Sequence, residues 1–404
     1  MAESGALTGL RVLDLSRVLA GPWATQTLGD LGADVIKIER PGFGDDTRSW
    51  GPPDIAGAGY SAYYASTNRN KRSVAIDISR PAGRDLIAAL AERCDVLVEN
   101  FKTGVAARHG LDYAALSKLN PRLIYCSITG FGQTGPYASN AGYDAMIQGM
   151  GGLMSITGRP DGEPSGGPQK LGVAIVDLST GLYAAIAIMA ALVQRQQTGR
   201  GQYIDMALLD VSVALLANQG MNYLATGRAP QRHGNAHPNI VPYQDFPTRD
   251  GWFMLAVGND QQFAQFCRCA GHPEWCSDPR FSSNPKRVAH REVLVPMLSA
   301  ATSTRSTQQW MDALQALGVP CGPINDLAQV FADPQVVARA LRKDFSSATG
   351  PGVPSIASPL RLSAAPVQYR LPPPALGEHT RSVLTDVLGL SAAELEVLSR
   401  EGAI

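Results

Sequence analysis

The chain has no excess of charge of either sign: 35 Lys and Arg residues balance 35 Asp and Glu, and the formal net charge is zero. General nucleic-acid and membrane-surface binders normally carry a basic surplus. Neither nucleic acid nor membrane is therefore expected as a partner, although a local cluster of bases holding one anionic small ligand stays open. Cysteine is scarce, six in 404 residues, which does not make a disulfide framework in a chain of this size. Cys267, Cys269, His272 and Cys276 invite a zinc reading, but zinc sites favour Cys-x2–4-Cys pairs and none occurs, so no metal is expected. The opening MAESGALTGL has neither the basic nor the apolar region of a secretory leader, so a cytoplasmic location is expected. The longest apolar run, LYAAIAIMAALV at 182–193, is too short to cross a bilayer and reads as a buried core helix. A G-x-G-x-x-G after the first strand is also missing, which argues against a dinucleotide enzyme.

What is present is an alternation of strand and helix signals. RVLDLS (11–16), DVIKIER (34–40), RSVAIDI (72–78), DVLVENF (95–101) and RLIYCSITGFG (122–132) read as strands. GPWATQTLGDLGA (21–33) and RPAGRDLIAALAERC (80–94) read as helices between them. Strands separated by helices pair in parallel through right-handed crossovers, so an open α/β sheet is expected. A further helix is expected from Asp177 to about Gln197, stopped by Gly199 and Gly201. From about 225 the composition turns to Gly, Pro, Asn and His, followed by a strand at GWFMLAVG and helices near 260–270, 286–301 and 306–317. The expected partition is a large domain over 1–224, a small α+β domain over 225–330, and a linker with a return to the large domain over 331–404. The Pro- and Gly-rich stretches at 346–359 and 371–380 read as extended crossings, and Ser391 with Glu394 reads as a capping box opening the last helix.

In open α/β sheets ligands bind beyond the carboxyl ends of the strands. Those ends here carry Arg17 and Arg40, and the fourth strand is followed by Asn100, Phe101, Lys102 and Arg108. Several bases with an aromatic ring suit a phosphorylated nucleotide held by cations and by stacking. Asp177, within GVAIVDLSTG (172–181), stands where the pattern asks for an apolar residue. It suits a helix N-cap. It equally suits a nucleophile, because a helix N-terminus favours the ionised carboxylate that nucleophilic attack needs.

With these residues in view, the chain resembles the family III CoA-transferases. GLRVLDLSRVLAGPWATQTLGDLGADVIKIERPGFGDDTR, NKRSVAIDI, DVLVENF, GYDAMIQGMGGLMSITG, GVAIVDLSTGLYA, GVPCGPI and LGEHT carry the resemblance, in that order, from about 9 to 380. The resemblance implies a Rossmann-like large domain, a smaller inserted domain and an interlocked homodimer. It puts the family's catalytic aspartate at Asp177. The CoA contacts of formyl-CoA transferase members fall on Arg17, Val18, Ala20, Arg40, Ile76, Asn100, Phe101, Lys102, Arg108, Tyr143 and Asp144. Coenzyme A is then a co-substrate, with no tightly bound cofactor. The stretch GNAHPNIVPYQDF is similar to members acting on succinate and glutarate and departs from the glycine-rich loop of formyl-CoA transferase. Asn235 and His237, with Arg17, are the candidates for holding a distal carboxylate.

The implied reaction moves CoA from an acyl-CoA to a free acid through an aspartyl anhydride and an aspartyl-CoA thioester. Backbone N–H groups at the start of the Asp177 helix, or in a glycine turn, are expected to hold the oxyanions. An α-methylacyl-CoA racemase of the same fold is the alternative enzyme. Matched racemases carry His where this chain has Tyr143, and a phenol of pKa about 10 suits acid–base work at neutral pH poorly. A non-catalytic acyl-CoA-binding protein is the alternative outside catalysis; the intact aspartate motif argues against it.

Overall fold

The computed structural model describes residues 4–346 and 352–404. The first three residues, and residues 347–351 of the expected crossing at 346–359, lie outside the described residues. Two compact units emerge, one of residues 1–153, 171–217 and 334–404, the other of residues 154–170 and 218–333.

The first unit is built on six parallel strands: β1 (Arg11–Asp14), β2 (Asp34–Glu39), β3 (Lys71–Ala75), β4 (Val96–Glu99), β5 (Ile124–Thr129) and β6 (Tyr203–Ala207). Their order is β3-β2-β1-β4-β5-β6, the doubly wound arrangement, whose order reverses between β1 and β4. The strands are short, and β4 and β5 are buried along their whole length because both faces are covered. Successive side chains alternate between two cores. Val12, Val35, Val96, Val98, Ile124 and Cys126 join the core shared with the Ala20–Asp30 and Ile175–Thr198 helices. Leu13, Ile36, Leu97 and Tyr125 point the other way, to the Pro81–Glu92 helix and the C-terminal helices Thr380–Leu388 and Ala392–Arg400. Each fully buried aliphatic side chain contributes roughly 1.5–3 kcal/mol relative to exposure.

The Ile175–Thr198 helix is long and apolar enough, by length and composition, to cross a membrane. Here it serves as a core helix, since Val176, Ala184, Ala185, Ile188 and Ala191 are buried against the sheet. It packs closely on the Ala20–Asp30 helix because Gly181 has no side chain: a Cβ there would lie 2.6 Å from the Ala20 carbonyl oxygen. Residues 368–404 return to the sheet, where the Gln368 N–H donates to the Asp30 carbonyl and the Asp77 N–H to the Ala403 carbonyl.

A buried ionic layer lies on β1, β2 and β3 and their loops. Lys71 Nζ sits 3.0 Å from Asp14 and Lys37 Nζ 2.9 Å from Asp45, all four side chains fully buried. Burial would raise the Asp14 carboxyl, but Lys71 and Lys37 outweigh it and hold it below the usual range. Burial draws the Lys71 ammonium down to about 8 against the pull of Asp14. Removing one member of such a pair leaves an uncompensated charge, at a cost of about 3–5 kcal/mol.

The second unit holds an antiparallel sheet of β7 (Tyr243–Pro247), β8 (Trp252–Ala256) and β9 (Cys321–Pro323), in the order β7-β8-β9. Its core is aromatic: the Trp310 ring lies against Phe253 and Phe266, and its indole N–H donates to the Thr302 carbonyl at 2.6 Å. The expected 286–301 helix is two helices, Asn284–Ala289 and Arg291–Thr302, separated by His290. His272 of the rejected zinc cluster stacks on Trp275 with ring centroids 4.2 Å apart. Among the described residues no group of three or more His, Cys, Asp and Glu side chains is placed to hold a metal.

The first unit also contains the antiparallel pair β10 (Arg342–Phe345) and β11 (Val353–Ile356).

Candidate active site

Asp177 lies within the first turn of its helix. The helix begins at Ile175, with Ala174 at the N-cap position and no side-chain cap from it. This corrects the reading of Asp177 as the cap. The cap comes instead from another element: Asp144 Oδ1 accepts from the N–H groups of Val176 (2.9 Å) and Asp177 (3.2 Å). The other Asp144 oxygen accepts from Gln148 Nε2 at 2.6 Å. The neighbouring N–H groups are also engaged, Ile175 with the Val173 carbonyl and Leu178 with that of Ala174. The start of this helix therefore offers no free oxyanion donors, which removes the first of the two expected sources.

Asp144 can reach across because the loop after β5 closes tightly on itself. Gly130 directly follows the strand, and a Cβ on Gly142 would lie 2.5 Å from the Gly130 Cα. Two glycines in contact bring residues 143–144 back over the sheet end, where Asp144 opens the Asp144–Met150 helix.

Burial, and then the Asp144 carboxylate, push the Asp177 carboxyl up to about 7. A helix N-terminus favours the ion, but only modestly, and desolvation beside a like charge outweighs it. Tyr63 is held up to about 12 by burial and then by Asp177 and Asp144, so it presents a neutral phenol to this acidic neighbourhood.

Asp177 lines a cleft of about 170 Å³ at the carboxyl ends of the strands. Arg17, Val18, Ala20, Asn100, Phe101, Lys102 and Tyr143 line it too. A second cavity, of about 530 Å³, is lined by Arg40 and Ile76 and shares Arg17, Asp46 and Phe101 with the first. The Arg40 guanidinium lies 4.5 Å above the Phe43 ring. Arg108 ends the exposed Val105–Arg108 helix and is not among the lining residues of either cavity. Asp144 is likewise absent from the lining; its carboxylate serves the Asp177 helix.

In the second unit, His237 Nδ1 accepts from the Asn239 N–H at 3.0 Å and its ring lies 5.4 Å from that of Tyr243. Burial and then Arg291 lower the imidazole, which stays neutral at pH 7. Asn235 is exposed.

Sequence reasoning missed Tyr63, Gly130 and Asn140. The position of Gly130 directly after a strand was a usable signal. Tyr63 sits in a one-turn helix, Ala62–Ala65, between β2 and β3, where no periodicity marks it.

The comparisons agree with this geometry. The family model described as CoA-transferase family III matches residues 7–380. A succinate–glutarate CoA-transferase of Agrobacterium fabrum is 51% identical over 398 residues, covering 98% of this chain and 96% of its own. A succinyl-CoA:glutarate CoA-transferase of Mus musculus is 47% identical, covering 98% and 90%. The crystal structure of a CAIB/BAIF family protein from Brucella suis aligns with a TM-score of 0.84 at 50% identity, covering 95% of this chain and all of that one. A carboxylate lining a cleft beyond the strand ends of a doubly wound sheet thus belongs to a chain matched along nearly its whole length: the chain belongs to CoA-transferase family III.

Proposed function

We propose that this CoA-transferase moves CoA from succinyl-CoA, or another dicarboxylyl-CoA, to a free dicarboxylate such as glutarate, through covalent intermediates on Asp177. The observation that carries this reading is that the two cavities adjoin. They share Arg17, Asp46 and Phe101, so one extended ligand can place its nucleotide among Arg40 and Ile76 and its thioester beside Asp177. A second support is the high identity to relatives named for succinate and glutarate.

The Asp177 carboxylate attacks the thioester carbonyl and expels CoA thiolate, leaving a mixed anhydride. The thiolate attacks the aspartyl carbonyl and frees the donor acid, leaving aspartyl-CoA thioester. The acceptor carboxylate then reverses the sequence and leaves with CoA. A serine would fall to an ordinary ester and lose the energy of the thioester; a carboxylate keeps it. With the helix start engaged, the glycine turn at Gly130, which lines the Asp177 cleft, is our choice for the oxyanion donors. Arg17 suits the distal carboxylate. Its bridge to Asp46, 3.1 Å long, joins two side chains about half exposed, a weak pairing that a substrate carboxylate can replace.

Incubating succinyl-CoA with a panel of mono- and dicarboxylic acids tests the assignment. Glutarate is expected to outrun acetate by about tenfold or more in kcat/KM, the discrimination available from one charge-assisted hydrogen bond. Equal rates would remove the dicarboxylate assignment. Proton exchange at the α-carbon of 2-methylacyl-CoA without transfer would favour racemase chemistry.

An acid limb is expected in kcat/KM. Activity rises with pH through about 7, as Asp177 loses its proton. Asp144→Asn keeps an oxygen for the two N–H groups but removes the like charge, so the limb moves to lower pH. The ratio of activity at pH 6 to that at pH 8 is expected to rise roughly threefold or more. An unchanged limb would show that Asp144 does not set the titration.

We also infer a homodimer. Leu182, Tyr183, Ile186 and Val193 leave an apolar stripe about half exposed on the Ile175–Thr198 helix, the kind of patch that marks a protein–protein contact. A solution mass near twice 42.8 kDa is expected by light scattering; a monomer mass would refute it.

A further inference from the structure

The segment Ser16–Val18, between β1 and the Ala20–Asp30 helix, has five consecutive backbone groups held by side chains. The Ser16 N–H donates to Asp14 Oδ1 at 2.9 Å, and the Ser16 carbonyl accepts from Lys37 Nζ at 2.9 Å. The Asn100 amide clamps Arg17 from both sides, its oxygen accepting from the Arg17 N–H (2.9 Å) and its nitrogen donating to the Arg17 carbonyl (2.7 Å). The Val18 N–H is shared between both oxygens of Asp45, at 3.2 and 3.3 Å. Asp45 is in turn fixed by Lys37, the two side chains forming a fully buried ion pair.

This is far more restraint than a surface turn needs. Its object is Val18, whose φ is +70°. Among the described residues with left-handed φ other than glycine, Val18 is the one with a β-branched side chain, and a β-branched residue there is a marked outlier. Such a conformation persists only where its surroundings over-determine it, and it clusters at functional sites. The strained residue lies between Arg17 and Leu19–Ala20, all of which line the cleft that holds Asp177.

We propose that Asn100, Asp45 and Lys37 are positioning residues for CoA transfer: they hold the strained Arg17–Val18 turn and thereby fix the Arg17–Ala20 wall of the cleft against the acyl group. Asn100 then acts through the Arg17 backbone, beyond any contact it makes with CoA. The inference rests on Asp177 being the carboxylate that accepts the acyl group.

Asn100→Ala is the primary variant, because Asn100 is only partly buried and its loss leaves no buried charge. Its kcat is expected to fall about 30-fold, the order that small misplacements of reacting groups cost. Its KM for acyl-CoA is expected to stay within about threefold. Adding Val18→Gly is expected to restore at least about fivefold of kcat, because glycine adopts φ +70° without strain and no longer needs the clamp. A residue needed only for folding would not be rescued in kcat by relaxing Val18. Asp45→Ala, where it folds, is expected to show the same split with a larger loss.

An unchanged kcat in Asn100→Ala would overturn the proposal, as would a rise in KM alone, which would make Asn100 a CoA ligand only. Failure of Val18→Gly to restore rate would overturn it as well. Asp177→Ala, assayed in parallel, separates the two ideas: activity there would defeat the Asp177 reading, whereas its loss beside a fully active Asn100→Ala would defeat the positioning role alone.

Discussion

Asp177→Ala is expected to lower CoA transfer by about 10⁴-fold or more, the scale on which removing a covalent nucleophile acts, while acyl-CoA binding changes by less than about threefold. The two effects separate because the nucleotide end of the ligand is read elsewhere, at Arg40 and Ile76 in the adjoining cavity. Asp177→Asn should be as inactive but more stable. The folded carboxyl titrates near 7 against about 3.9 in the unfolded chain. The unfolded state therefore ionises more readily, and native Asp177 works against folding. That penalty is fully present above pH 7, shrinks as pH falls through the interval, and is absent below about pH 4. The melting temperature of Asp177→Asn should accordingly exceed that of the parent by several degrees at pH 8 and match it at pH 4. Calorimetry at the two pH values, with a CoA-transfer assay, checks both halves. Retained transfer in Asp177→Ala would end the covalent scheme. Equal melting temperatures at pH 8 would show that the carboxylate is solvated rather than forced into a dry site. Hydroxylamine in the presence of acyl-CoA should leave a hydroxamate on the Asp177 peptide of the parent and none on either variant.

The costly placement of that carboxylate also explains which parts of the site the sequence could show. Five of the six parallel strands were legible because each carries a short cluster of apolar residues bounded by turn or helix signals. β6 was not. It is an edge strand with Tyr203, Ile204, Asp205 and Met206 alternating in exposure, and it follows directly on the glycines that end the long helix. Asp177 was legible because it interrupts an apolar helix, and Arg17, Arg40, Asn100 and Phe101 because strand ends are where ligands go. The partnership of Asp144 with Asp177 was not. The two stand 33 positions apart, and only the closure of the Gly130–Gly142 loop brings them together. Nor could pattern reveal the buried lysines. Lys37 reads as the polar position of an alternating strand, yet its side chain is fully buried on Asp45. The periodicity is the same for a solvated lysine and for a paired one. Only the loop carrying Asp45, folded back over the strand end, distinguishes them. The segment 154–170 is rich in Gly and Pro, like the stretch after 225, but that composition reads as a loop and does not tell which unit the segment joins.

Gly142→Ala is expected to lower kcat/KM by about 10²-fold or more, although it adds one methyl to a loop. In open structure this substitution is mildly favourable, because alanine restricts the unfolded chain more than glycine does. Gly142 does not have a left-handed φ, so no backbone cost opposes alanine there. The obstacle is steric: the new Cβ would lie 2.5 Å from the Gly130 Cα and 3.4 Å from Ile147 Cδ1. Carbon atoms need about 3.5–4.0 Å, so the loop must open by an ångström or more against the backbone that leaves β5. Overpacking of this kind costs about 1–3 kcal/mol, which outweighs the entropic gain and sets the sign for stability. For activity the consequence is larger. Opening the loop moves Tyr143 and Asp144 together, drawing the Asp144 carboxylate off the Val176 and Asp177 N–H groups and widening the cleft beside the nucleophile. An ångström of misplacement is worth about 10²-fold in rate. Gly322→Ala in β9, where an added Cβ has no neighbour within 4 Å, is the matched control and should stay within about twofold in kcat/KM. Steady-state kinetics on the two variants, with melting temperatures, tests the argument. Full activity in Gly142→Ala would mean that the loop yields without moving Asp144, and that the glycine pair does not fix the catalytic geometry.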